Sequence, residues 1–168
     1  MIDSAKRFAS NWLAVATTKF SGPESWKHWA DVMIERLPEP PMWIIYMAVA
    51  NSLDELFKAL GERLEQEDYS AGYHIPIGNA KLGYHYLRYA RGDYTLQEFL
   101  LIAGDEADGG SGDLDCEPVY DILNRVEIAK DDPKRIAALE AETKELFLPY
   151  KQIAERQWSE LQSELVGS

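Results

Sequence analysis

Apolar residues recur along this chain at the three- and four-residue spacing of amphipathic helices, and no segment alternates as a strand would, so the pattern predicts an all-α fold. Ala5, Phe8, Ala9, Trp12, Leu13, Ala16 and Phe20 fall on one stripe, which makes residues 3–20 a helix. Ser21-Gly22-Pro23 ends it and opens the next, with Pro23 at the first helical position, where a missing N–H costs nothing. Trp26, Trp29, Ala30, Met33 and Leu37 give the second helix one apolar side, and Pro38, Pro40 and Pro41 make a corner. The run from Pro41 through Ala50 is apolar all round and predicts a short, buried third helix.

Capping signals organise the middle of the chain. Ser52-Leu53-Asp54-Glu55 reads as a capping box, in which the Ser hydroxyl and the Glu carboxylate accept from orphan N–H groups at a helix start. It opens a fourth helix with Leu53, Leu56, Phe57, Leu60 and Leu64 on one side. Gly72 to Gly78, with Pro76, reads as a loop, and Asn79 is placed to cap a fifth helix over 80–91 that Gly92 ends. That helix is crowded with Leu82, Tyr84, Tyr86, Leu87 and Tyr89, so it is expected at the centre. Thr95-Leu96-Gln97-Glu98 is a second box, and Leu96, Phe99, Leu100 and Ala103 face inward on the sixth helix.

Asp108 to Asp115, with three glycines, is the stretch with the least predicted structure. Pro118 is expected to begin a seventh helix carrying Val119, Ile122, Leu123 and Val126. Asp132-Pro133 opens a long C-terminal helix with Ile136, Leu139, Leu146, Tyr150, Ile153, Leu161 and Leu165 as its stripe. Pro149 within it predicts a kink or break near residues 145–148. The expected fold is thus a helical bundle of about seven to eight helices, one domain over residues 1–168, with a long, Pro-kinked C-terminal helix. Leu56, Leu60, Tyr86, Phe99, Ile122 and Leu139 are the predicted core positions.

Length and composition suit that reading, since 168 residues with 46% hydrophobic content can bury one core. Charge changes the picture. Twenty-nine acidic residues against 17 basic ones leave a net charge of −12, which disfavours nucleic acid and anionic membrane and favours a basic protein partner. From Gly92 to Ile128 the acids are Asp93, Glu98, Asp105, Glu106, Asp108, Asp113, Asp115, Glu117, Asp121 and Glu127, and Arg125 is the single base there, so ten minus one places −9 of the −12 in this stretch. Such a run can be a solubilising surface or an interface. A lone cysteine, Cys116, excludes an internal disulfide and a multi-cysteine zinc site. Met1 to Phe8 has no apolar signal segment, and Met42 to Ala50 is too short to span a bilayer, so a cytoplasmic location is expected.

Catalytic chemistry finds little support. None of His28, His74 and His85 has Glu or Asp three residues before it, as a di-iron bundle needs. Glu62/Glu65 and Asp105/Asp108 have the i, i+3 spacing with which an all-α nucleotide hydrolase holds magnesium between helices, but exposed helices supply such pairs by chance. Counting from Asp113 or from Asp105, the ligand positions of a calcium loop are not filled. Cys116 has carboxylates but no base beside it, which raises a thiol pKa and predicts an inert cysteine. Gly78 to Gly83 has no strand before it, as a phosphate loop requires. Trp26, Trp29 and Trp43 fit a core better than a ligand box. No cofactor and no metal are expected.

Ala80-Lys81-Leu82-Gly83-Tyr84-His85-Tyr86-Leu87, followed by Gly92-Asp93-Tyr94-Thr95-Leu96-Gln97-Glu98-Phe99, resembles a helix–turn–helix pattern in bacteriocin immunity proteins of the colicin D type. The shared features are an apolar helix, a Thr-led turn and a Glu-Phe pair opening the next helix. The resemblance implies a small cytoplasmic helical protein that binds a toxin domain and blocks it, and it supplies no site residue. Nuclease toxins are often basic, so an acidic inhibitor can mimic their substrate's charge. The expected function is toxin neutralisation without catalysis, through Asp105, Asp108, Asp113, Asp115, Glu117, Tyr120 and Asp121, with Tyr120 as an aromatic anchor. Two alternatives stay open: a metal-dependent nucleotide hydrolase using Glu62, Glu65, Asp105 and Asp108, and a helical adaptor using its aromatic residues.

Overall fold

A computed structural model describes residues 2–66, 74–110 and 112–166, with the side chains of residues 2–7, 62, 65–66 and 74–76 outside that description. Among the described residues there are eight helices and no strand: α1 (Ile2–Thr17), α2 (Pro23–Arg36), α3 (Met42–Val49), α4 (Leu53–Gln66), α5 (His74–Ala90), α6 (Leu96–Asp108), α7 (Cys116–Ala129) and α8 (Pro133–Val166). None is long and apolar enough to cross a membrane. Contacts group them into two compact units, residues 1–73 with 156–168, and residues 74–155. α8 contributes residues to both.

The first unit is built on tryptophan. Trp12, Trp26, Trp29 and Trp43 are all buried, as are Ile44, Met47, Leu56, Leu60 and Leu161. Trp12 meets Trp29 edge-on at 6.0 Å and Trp158 at 6.1 Å, an arrangement that aromatic quadrupoles favour over face-to-face stacking. The Trp26 indole N–H donates to the Ala50 carbonyl at 3.0 Å, fixing the end of α3 against α2. The expected reading of these tryptophans as core therefore holds. α1 ends at Thr17 rather than residue 20, because Lys19 takes a left-handed φ of 53°. The Phe20 N–H then reaches back to the Val15 carbonyl and the Lys19 N–H to that of Ala16, the two bonds of a Schellman ending with lysine where glycine is usual.

α3 corrects an expectation. It is apolar on all sides, yet only Trp43, Ile44 and Met47 are buried, while Met42, Tyr46 and Val49 are more than half exposed. Eight residues between two corners pack one side on α2 and α4, and among the described residues the other side stays exposed. The fourth helix starts as expected, with the Glu55 N–H donating to the Ser52 hydroxyl at 3.2 Å. The Glu55 carboxylate, however, accepts from the Asn51 N–H, one residue before the box position. Leu56 and Leu60 are fully buried on this helix. Leu60→Ala is expected to cost about 2–5 kcal/mol, the range for truncating a buried leucine, read from chemical denaturation. A loss below about half a kcal/mol would mean the side chain is not in the core.

The second unit packs α6 on α5 and α7 around Leu82, Tyr86, Phe99, Leu100, Ile122, Leu139 and Phe147. All six predicted core positions across the chain are buried. α5 begins at His74, not at residue 80, so residues 74–78 are helical rather than loop; Gly72 and Tyr73 lie outside the described residues. Pro76 is tolerated because it sits in the first turn, where its N–H would have no intrahelical acceptor. Asn79 is accordingly inside the helix and does not cap it. Gly92 does end α5, at a φ of 90°. Asp93 follows, and hydrogen bonds from Arg91 and Arg88 lower its carboxyl to about 2.

The capping box at Thr95 and Glu98 is formed in both directions. α7 starts at Cys116, two residues before Pro118, because the Asp115 carboxylate caps it by accepting from the Glu117 N–H at 3.0 Å. α8 is likewise capped by Asp132, and it runs from Pro133 to Val166 without breaking at Pro149.

Candidate functional site: the acidic α6–α7 surface

The seven residues singled out by charge occupy the C-terminal half of α6, the connecting segment and the first half of α7, all within the second unit. Asp105, Asp108, Asp113, Asp115, Glu117 and Asp121 are exposed, and Tyr120 is partly buried. Gly104 explains how α6 and α7 meet here. A Cβ at that position would lie 2.5 Å from the Tyr120 ring, so the absence of a side chain lets the ring lie directly on α6. The Tyr120 hydroxyl then donates to Asp105 Oδ1 at 2.8 Å. One turn on, the Cys116 thiol faces Asp108 Oδ1 at 3.7 Å.

The connecting segment is better anchored than its glycines suggest. The Asp113 N–H donates to the Asn79 side chain at 3.0 Å, and the Tyr150 hydroxyl donates to Asp113 Oδ1 at 2.9 Å. Leu114 is buried in the core. A segment expected to be the least structured is thus tied to α5 and α8 at one residue. Asn79, misread as a helix cap, has this tether as its role.

Asp121 belongs to a different constellation. Arg125 bonds it at 2.9 Å and also bonds Glu142 on α8 at 2.8 and 2.5 Å, so this acid is partly neutralised. Glu106 is drawn away too, with Lys81 at 2.7 Å and the buried His85 at 3.7 Å. Asp93 and Glu98 serve the α5–α6 turn, and Glu127 accepts from Gln97. Of the ten acids in the stretch, Asp105, Asp108, Asp113, Asp115 and Glu117 therefore form the outward negative surface, with Asp121 at its edge.

The surroundings shift several groups. Tyr120 is pushed up to about 12, first by its hydrogen bond to Asp105. Tyr150 is pushed up to about 12, first by burial and then by its bond to Asp113. Burial and then the Asp108 charge push the Cys116 thiol up, as the sequence predicted for an unreactive cysteine. Because both folded tyrosine values exceed the usual value near 10, the two hydroxyl–carboxylate bonds contribute fully below about pH 10 and are lost as pH rises through about 12. Absorbance titration is expected to show Asp105→Asn and Asp113→Asn each bringing one tyrosine to lower pH. An unchanged titration in both variants would remove these two bonds from the account.

Tyr120 packs its ring on Gly104 and donates its hydroxyl to Asp105, so it props a carboxylate of this surface. Of the pairs suggested for magnesium, Asp105 and Asp108 both lie on α6. Asp105 and Asp108 answer to Tyr120 and Cys116, and the Glu62 and Glu65 side chains lie outside the described residues. Among the described residues no three His, Cys, Asp or Glu side chains are grouped to hold a metal ion. Sequence reasoning missed Asn79, Gly104 and Tyr150, whose partners lie far along the chain and leave no local signature. No family model, no curated protein and no solved structure matches this chain.

Proposed function

We propose that this chain is a cytoplasmic immunity protein, which binds a cognate bacterial toxin domain and neutralises it without catalysis. The observation that carries the reading is the outward group of Asp105, Asp108, Asp113, Asp115 and Glu117, two of whose carboxylates are held by tyrosine hydroxyls. Charges fixed before encounter cost less ordering on binding, and a negative surface accelerates association with a basic partner. A nuclease domain, which must itself hold a phosphate backbone, has the complementary sign. The resemblance of residues 80–99 to colicin D-type immunity proteins points the same way.

A second reading, a helical adaptor, is favoured by the exposed Met42, Tyr46 and Val49 on α3. The experiment that separates the two is affinity capture from the native cell, followed by co-expression of any stoichiometric partner. Immunity requires that the partner arrest growth alone and that this chain relieve the arrest. A partner that is harmless by itself would favour the adaptor, and magnesium-dependent nucleotide hydrolysis by the purified chain would favour an enzyme instead.

A further inference from the structure

We draw no further inference here: the strongest candidate, the exposed apolar stripe of Met42, Tyr46 and Val49 on α3 with Phe57 on the neighbouring α4, is an unpartnered helix face and nothing in the structure shows what covers it.

Discussion

Gly83→Ala is expected to destabilise the protein by about 3 kcal/mol, although the same exchange in a free helix would stabilise it by about 1. Gly83 lies in the middle of α5, where backbone entropy alone argues for alanine. A Cβ there would sit 2.0 Å from the Tyr150 carbonyl oxygen, 2.7 Å from its carbon and 2.8 Å from the Ala154 Cβ. Two of those three atoms are backbone, so no rotamer change relieves the clash, and α5 must move off α8. That movement would also disturb Tyr86, which packs on Phe99 and Phe147 in the core of the second unit. Gly61 provides the control. It is also inside a helix, α4, and among the described residues nothing lies within 4 Å of the site where a Cβ would stand. Gly61→Ala should therefore raise stability by up to about 1 kcal/mol. Chemical denaturation of both variants reads opposite signs; if Gly83→Ala is as stable as the parent, the close approach of α5 and α8 is wrong.

The contrast between these glycines marks what was legible in the chain. Periodicity identified the amphipathic helices, because a one-sided stripe such as Leu56 and Leu60 has one stable solution, burial against another element. A local reading of residue types also identified the Thr95–Glu98 box, since both partners of that cap lie within four residues. It failed where the deciding contact was distant. Gly83 and Gly61 look alike in sequence, and only α8 distinguishes them. Asn79 has the chemistry of a cap, but Pro76 is equally good in a first turn, and the tether from Asp113, 34 residues away, is invisible to a local reading. α3 failed for another reason. A helix apolar on every side carries no amphipathic signal, so nothing in it says which side a neighbour will cover. The acidic stretch was legible as composition, yet its division into outward acids and acids spent on Lys81, Arg88, Arg91 and Arg125 was not.

On the proposed function, removing four charges from that outward surface and its edge is expected to slow association with the toxin domain more than tenfold at low salt. The variant combines Asp113→Asn, Asp115→Asn, Glu117→Gln and Asp121→Asn. Asparagine keeps an acceptor for the Tyr150 hydroxyl and for the Glu117 N–H, so the tether and the α7 cap can persist while four charges vanish. The exchange at Asp121 leaves Arg125 bonded to Glu142. Far-UV circular dichroism should accordingly be unchanged. A small loss of stability is expected from the α7 N-terminus, where carboxylates interact favourably with the helix dipole. The kinetic deficit should shrink as salt rises, because at about 0.15 M ionic strength charges more than about 8 Å apart are largely screened. Tyr120 offers an independent arm. Tyr120→Ala empties the space over Gly104 and releases Asp105, so it should raise the dissociation rate, whereas Tyr120→Phe keeps the ring and loses only the bond to Asp105. Surface plasmon resonance against the toxin domain recovered by affinity capture, across a salt series, reads both effects. A fourfold variant that associates as fast as the parent at low salt would reduce the acidic surface to a solubilising one, because four of the seven assigned residues would have no effect through charge.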